Sequence, residues 1–283
     1  MAQVNVMENI ARLASTPGMP RAYFNWIWST RVQKTSPAVD CVTTKIRGWA
    51  SFSDYWCFHN GIGLAERRLI DRTLRECGSL HPIAIDIGGH IGLFSAELAG
   101  RGFREIHTFE PTPPTFERLE RNILRSPTTR GIVKLNPMAV GAIDGFVSLT
   151  GEPESPATNH VRLESEGPGS SEFAVPITTL DSYCAEEQIK HIEFLKIDTE
   201  GFEPYVLAGA RSTLQKIRVP CILLEVCPDL LQRAGTSADE LYSSLELVGY
   251  TPHELQSDGR PGRRLYLDDF RQIRWADIVA HPI

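Results

Sequence analysis

The feature that most constrains the fold is a repeated alternation of short apolar runs with segments of helical apolar spacing from residue 63 onward. Strands that alternate with helices typically form a parallel sheet covered by helices on both faces. We therefore expect an α/β fold with a doubly wound, mainly parallel sheet. The predicted strands are 83–87, 105–110, 132–140, 175–180, 192–198 and 221–226, with a terminal hairpin near residues 253 and 264. The predicted helices are 64–74, 91–100, 114–124, a helix from Asp181, 203–214 and 238–247, and FVSLT at 146–150 is a candidate for a short extra strand.

Two segments fall outside this alternation. Residues 1–62 hold four of the five tryptophans, and we predict an N-terminal helical and aromatic extension ahead of a domain at 63–283. Core packing is the ordinary role of such aromatics, and a substrate wall or a contact in a homo-oligomer are the alternatives. Residues 151–173 are rich in Gly, Pro, Ser and Glu, which indicates a loop. This loop is either an insertion without a function or a lid over the site.

Composition excludes some classes of partner. The formal net charge is −6, and no run of Lys and Arg is long enough to follow a phosphate backbone, so nucleic acid is disfavoured. No apolar stretch approaches the roughly 18 to 20 residues that span a bilayer, and we see no export signal. The six cysteines form no CxxC pair. These features predict a cytoplasmic protein with reduced thiols and no membrane contact.

The stretch HPIAIDIGGHIGLF carries an acid and three glycines at a strand-to-helix turn. A dinucleotide site would need G-x-G-x-x-G, but counting from Gly88 or from Gly89 fails, at His90 and Ile91 respectively. Asp86 would repel a pyrophosphate, whereas it would suit a ligand that carries an ammonium and a sulfonium. We therefore predict S-adenosylmethionine as the cofactor. Its predicted contacts in this stretch are Asp86, Gly88, Gly89, His90, Ile91 and Gly92.

The ends of the next two strands complete the predicted cofactor site. Glu110, followed by Pro111, ends the second strand about 20 residues after the glycine turn, where a carboxylate can accept hydrogen bonds from both ribose hydroxyls. Ala139, near the end of the third strand, is a candidate for contact with the adenine ring, although ordinary strand packing explains it equally well.

The stretch LKIDTEGFE supplies the candidate catalytic acids. Asp198 and Glu200 share a face if the strand continues that far, with Lys196 in phase as a partner of Asp198. Proximity of two carboxylates raises one pKa, which suits a general base, and Asp198 is also a candidate cofactor contact. Glu225, at the end of the next strand, and His90 are further candidates, and His160 is a weaker one. Such acids are able to hold Mg²⁺, but they define no coordination set, so we predict no metal site.

Several stretches resemble successive blocks of the FkbM family of S-adenosylmethionine-dependent methyltransferases. They include AIDIGGHIGLFS, TFEPTPPTFERLERNI, NPMAVGAIDG, VPITTLDSY and IEFLKIDTEGFEPYVLAGA, and together they cover roughly residues 63–227. The resemblance implies a Rossmann-like class I methyltransferase fold with a seven-stranded sheet. It also implies O-methylation of a hydroxyl on a sugar or secondary metabolite. His90 stands where the family commonly has Asn.

Two other functions remain open at this stage. A nicotinamide oxidoreductase would share the fold, although the failed glycine count and Asp86 argue against it. A non-catalytic relative that binds cofactor or partners without turnover is the second alternative. We expect the acceptor to be a small hydroxylated molecule.

Overall fold

A computed structural model describes residues 22, 25–27, 29–30, 33, 37–42, 44–48, 61–152, 155–161 and 171–283. Its strands are β1 (Val39–Asp40), β2 (Lys45–Ile46), β3 (Ile83–Ile87), β4 (Glu105–Phe109), β5 (Val133–Asn136), β6 (Ala139–Val140), β7 (Gly145–Glu152), β8 (Ser155–Val161), β9 (Ser171–Thr178), β10 (Phe194–Ile197), β11 (Ile222–Val226), β12 (Tyr250–Leu255), β13 (Pro261–Arg264) and β14 (Ala276–Pro282). Its helices are α1 (Leu64–Cys77), α2 (Leu93–Arg101), α3 (Pro113–Arg125), α4 (Leu180–Glu186), α5 (Glu203–Gly209), α6 (Arg211–Ile217), α7 (Pro228–Arg233), α8 (Ala238–Val248) and α9 (Leu267–Gln272).

The main sheet has the order β13-β12-β14-β11-β10-β3-β4-β5. Strands β11, β10, β3, β4 and β5 are parallel to one another, whereas β14 runs antiparallel between β11 and β12. The order reverses between β3 and β10, where open α/β sheets bind their ligands. This confirms the predicted doubly wound, mainly parallel sheet. The terminal hairpin predicted near residues 253 and 264 is also confirmed, as β12 and β13, and it gives the sheet one strand more than the seven expected.

Alternate residues of the central strands face two different cores. Ile85 of β3 and Leu195 of β10 pack in one core with α5, α6 and α8, while Ala84 and Phe194 pack in the other with α1, α2 and α3. All residues of β3 and β10 are buried. Their nearly continuous apolar sequence follows from this burial on both faces. The exceptions are Asp86 and Lys196, which have adjacent positions in the β3–β10 register.

Three of the predicted segments differ from the structure. The predicted strand 132–140 is two strands in different sheets, because the chain leaves the main sheet after β5 at Pro137 and Met138. The expectation of a loop at 151–173 is wrong for much of that segment, since residues 151–152, 155–161 and 171–173 belong to a second sheet with the order β6-β9-β7-β8. Residues 153–154 and 162–170 lie outside the described residues. The predicted helix 203–214 is two helices, α5 and α6, which meet at Ala210.

The described part of the N-terminal segment packs on the start of α2. Ala22, Val39 and Ile46 form a small buried cluster with Ile91 and Leu93, and Trp26 packs against that cluster. Trp28, Trp49 and Trp56 lie outside the described residues. The division into residues 1–62 and 63–283 stays a prediction. None of the described helices is both long enough and apolar enough to cross a bilayer.

Candidate active site

The turn after β3 and the loop after β10 are in direct backbone contact. The amide of Asp198 donates a hydrogen bond to Ile87 O at 3.1 Å. Gly88 has a φ of +85°, and a Cβ at this position would lie 1.7 Å from Asp198 O. Only glycine leaves room for that approach. The Asp-Ile-Gly-Gly stretch therefore fixes the position of the loop that carries the candidate acids.

The amides of the glycine turn already have protein partners. Gly88 N and Gly89 N both donate to Phe109 O, at 3.0 and 2.8 Å, and Gly92 N donates to Gly89 O at 2.8 Å before α2 begins. These three amides therefore do not form the anion-binding nest of a dinucleotide site. The side chain of Ile91 is fully buried in the N-terminal cluster, so only its backbone can face a ligand.

Asp86 is completely buried. Ser95 Oγ donates to its Oδ2 at 2.5 Å, and Lys196 Nζ lies 3.7 Å from its Oδ1. Burial raises the pKa of Asp86, while Lys196 opposes that shift. The carboxylate thus faces the protein interior in this state, and its expected contact with the cofactor ammonium stays a prediction.

Lys196 connects the two turns. Its Nζ donates to Asp198 Oδ2 at 2.9 Å and to Gly88 O at 3.4 Å, and it lies 5.4 Å above the Phe94 ring. Burial alone would lower the pKa of Lys196, but the negative charges of Asp198 and Asp86 outweigh burial and raise it. The sequence indicated the pairing with Asp198, but gave no sign of the contact with Asp86.

Asp198 and Glu200 come together through a turn. Strand β10 ends at Ile197, and Glu200 has a left-handed φ of +57°, so the expectation of a shared strand face is wrong. Glu203 Oε1 closes the turn by accepting hydrogen bonds from Thr199 N at 2.7 Å, Thr199 Oγ1 at 2.9 Å and Gly201 N at 3.2 Å. Glu203 thus shapes the loop, a more specific task than the helix-terminus role that its position suggests.

The acids at this edge of the sheet raise one another's pKa values. Burial, then the charges of Asp198 and Glu203, raise the pKa of Glu200 to about 8. Burial also raises the pKa of Glu225, again with Asp198 as the next cause, and Trp275 Nε1 donates to Glu225 Oε1 at 2.6 Å. Sequence reasoning missed Asp277, which lies opposite Glu225 because β14 inserts beside β11. Burial raises its pKa to about 7.

Glu110 holds the start of the two helices that flank it. Its carboxylate accepts from His90 N at 3.1 Å and from Thr112 N at 2.9 Å, and burial raises its pKa to about 7. Each carboxylate oxygen has a second lone pair, so these bonds leave capacity for ribose hydroxyls. Pro111 is half-buried beside it. His90 lies in the glycine turn with a left-handed φ of +48°.

Ala139, the residue expected to contact adenine, lies in the second sheet. Ala139 is buried in β6 and pairs with Ile177 of β9, so it follows β5 in sequence without extending it. Its contact with adenine stays a prediction. His160 lies in β8, opposite Thr150 in the register with β7.

The charge balance of this edge suits a cationic ligand. Two cations, Arg233 and Lys196, act to lower the pKa of Glu200. Glu225 Oε2 is buried without a hydrogen-bond partner in the described part of the chain. An uncompensated acid of this kind is stabilised by a nearby positive charge. The residues present therefore fit a sulfonium and an ammonium. No group of three or more His, Cys, Asp and Glu within the described ranges has an arrangement that would hold a metal ion.

Comparison with known families identifies this architecture. The model of the methyltransferase FkbM domain matches residues 86–252, which is more than half of the chain and includes both turns. The chain belongs to the FkbM methyltransferase family. The family expectation drawn from the sequence blocks is thus confirmed.

Two curated relatives of this FkbM chain are named as methyltransferases, one of a hexuronic acid and the other as a 2-O-methyltransferase. The hexuronic acid methyltransferase AglP of Haloferax volcanii is 27% identical over 148 residues, which cover 52% of this chain and 57% of AglP. The 2-O-methyltransferase NoeI of Sinorhizobium fredii is 27% identical over 198 residues, which cover 62% of this chain and 77% of NoeI. The match thus spans just over half of the length of AglP.

Solved methyltransferase structures are also similar to this chain. The SAM-dependent methyltransferase from Agrobacterium tumefaciens has 8% identity and a TM-score of 0.48, with 88% of this chain and 70% of that one covered. The FkbM methyltransferase from Methylobacillus flagellatus has 14% identity and a TM-score of 0.45, with 81% and 50% covered.

Proposed function

We propose that this FkbM chain transfers a methyl group from S-adenosylmethionine to a hydroxyl group of a sugar or secondary metabolite. The observation that carries the proposal is the turn after β10, where Glu200 is held beside Asp198 and Glu203 with its pKa raised to about 8. A hydroxyl acceptor needs a nearby group that can take its proton near neutral pH. The family match and the names of AglP and NoeI support the same reaction.

The acids at the carboxyl edge of β3, β4 and β10 would hold the cofactor. When bound, S-adenosylmethionine supplies a methyl group made electrophilic by its sulfonium. Glu110 would accept hydrogen bonds from the ribose hydroxyls, and Asp198 would face the positively charged end of the cofactor. The backbone of His90 to Gly92 and the neighbouring Pro111 would line the nucleoside, with Ala139 near adenine.

Glu200 is the residue that we assign as general base. Its carboxylate would take the acceptor hydroxyl proton while the oxygen is aligned for attack. Lys196 fixes Asp198 by an ion pair, and Glu203 fixes the backbone on both sides of Glu200, so the base is held in position before substrate binds. Asp198, Glu225 and His90 remain as other candidates for this role, with weaker support from geometry.

A methyl-transfer assay tests the proposal. Labelled S-adenosylmethionine is incubated with wild type and with a panel of hydroxylated sugars and secondary metabolites, and we expect label in an acceptor. Glu200→Gln should lose this transfer, while Glu186→Gln, which changes an exposed acid on α4, should keep it. Calorimetry with S-adenosylhomocysteine and NAD provides the control, since binding of NAD alone would support an oxidoreductase instead.

The proposal also covers the metal requirement of the reaction. We expect methyl transfer to proceed without Mg²⁺, so activity should survive EDTA, and recovery only on adding Mg²⁺ back would contradict this. The cytoplasmic location, the possible homo-oligomer and the absence of nucleic-acid and membrane partners stay predictions from the sequence.

A further inference from the structure

A cavity lies between α3 and the N-terminal segment, and we call it the arginine pocket. Its volume is about 640 Å³, which is within the range of small-molecule sites. Its polar lining consists of Gln33, Arg47, Arg118, Arg121, Asn122 and Arg125. None of these residues belongs to the methyl-transfer site proposed above.

The helical repeat and a buried amide build this pocket. Arg118, Arg121 and Arg125 are three and four residues apart, so they share one face of α3. Arg47 comes from the N-terminal segment, and the buried side chain of Asn122 fixes its backbone. Asn122 Oδ1 accepts from Arg47 N at 3.1 Å, and Asn122 Nδ2 donates to Arg47 O at 2.8 Å. The pocket therefore has a wall that is held in place without any ligand.

The pocket concentrates positive charge on a chain of net charge −6. Arg118 Nη1 donates to Gly48 O at 3.2 Å, which joins α3 to the N-terminal segment, and Arg121 Nε donates to Glu117 O at 3.0 Å. Within the described ranges, Arg121 and Arg125 form no ion pair with a carboxylate. Arg121 and Arg125 carry like charges on one face of α3, and an anionic ligand would relieve the repulsion between these two side chains.

We propose that the arginine pocket binds the diphosphate group of a small molecule. Guanidinium groups bind phosphate oxygens through paired hydrogen bonds, and several guanidinium groups around one cavity match several phosphate oxygens. A nucleic acid is a poorer match, because the exposed Glu117 and Glu120 lie on the same helix and interrupt any longer basic track. The diphosphate could belong to a free metabolite or to a nucleotide-activated sugar, and these two sources share the recognised chemistry.

Calorimetric titration with inorganic pyrophosphate tests this proposal. We expect wild type to bind pyrophosphate, with lower affinity at high salt because exposed charges are screened. The double variant Arg121→Gln/Arg125→Gln should bind at least about tenfold more weakly, since two charged donors are lost. The matched control Arg104→Gln/Arg130→Gln removes the same charge from exposed arginines outside the pocket, and should bind like wild type.

Two further measurements keep the outcome decisive. S-adenosylhomocysteine affinity should be equal in wild type and in both double variants, which shows that all are folded and keeps this test separate from the proposed methyl transfer. UDP-glucose that binds more tightly than pyrophosphate would indicate an activated sugar, whereas equal binding would indicate the free diphosphate. The proposal is overturned if wild type binds no pyrophosphate, if the pocket variant binds within twofold of wild type, or if single-stranded RNA binds this pocket more tightly than pyrophosphate.

Discussion

The two strand-to-helix turns at the centre of the sheet use glycine and acid in opposite ways. At the end of β3, Asp86 is fully buried, and the amides of Gly88 and Gly89 in the following turn donate to Phe109 O. After β10, Asp198 is partly exposed and Glu200 takes a left-handed backbone conformation beside other acids. The same residue types thus produce a packed support in one turn and a cluster of acids with raised pKa values in the other.

The two turns are in direct contact, and this contact holds the acids of the second turn in place. Gly88 lets the backbone of Asp198 approach, and Lys196 neutralises one acid from each turn. The first turn therefore determines the position of the acids on the second. An acid at a strand end is a weak functional signal by itself, whereas its burial and its partners distinguish a positioning role from a catalytic one.

The largest expected effect is the loss of kcat on replacing Glu200 in the turn after β10. Glu200→Gln keeps the size of the side chain but removes the base. We therefore expect kcat to fall about a thousandfold, which corresponds to an activation free energy higher by roughly 4 kcal/mol. Steady-state kinetics with the acceptor found by the panel measures this. Glu186→Gln should retain wild-type kcat, and a Glu200→Gln enzyme with unchanged kcat would remove Glu200 from the mechanism.

The second effect is on the contact between the turns. Lys196→Met leaves Asp86 buried without its cation, so we expect the free energy of unfolding to fall by about 3 kcal/mol. Urea denaturation measures the loss, with Lys190→Met as the control because Lys190 is exposed. A loss no larger in Lys196→Met than in Lys190→Met would mean that the lysine does not hold the two turns together.

The smallest effect concerns the ribose contact. Glu110→Ala removes an acceptor of hydroxyl hydrogen bonds, so S-adenosylhomocysteine should bind about 2 kcal/mol more weakly, or roughly thirtyfold. Calorimetry measures this, with Glu186→Ala as the matched control. Because Glu110 also holds two backbone amides, Glu110→Gln, which retains one carbonyl acceptor, should have an intermediate effect. Equal affinity in Glu110→Ala and wild type would refute the ribose assignment.

Sequence patterns predicted the sheet well because its strands are short, buried runs separated by amphipathic helices. They located Asp198, Glu200 and Glu225 near one edge, since parallel strands end at the same side. They failed where long-range pairing decides the structure. The pairing of β8 with β7 makes a strand of residues expected to form a loop, and the insertion of β14 brings Asp277 to Glu225. The arginine pocket also depends on a contact between distant segments, Arg47 and α3.

The most direct test of the account is the pH dependence of kcat/KM for the methyl donor, measured with acceptor well below its KM. The pKa of Glu200 is raised to about 8, and a general base must be ionised to act. For wild type we predict that kcat/KM rises about tenfold per pH unit below pH 8 and levels off above it, and that Glu200→Gln lacks this rise. A flat wild-type profile from about pH 6 to pH 9, or the same midpoint in Glu200→Gln, would contradict the assignment of Glu200 as the base.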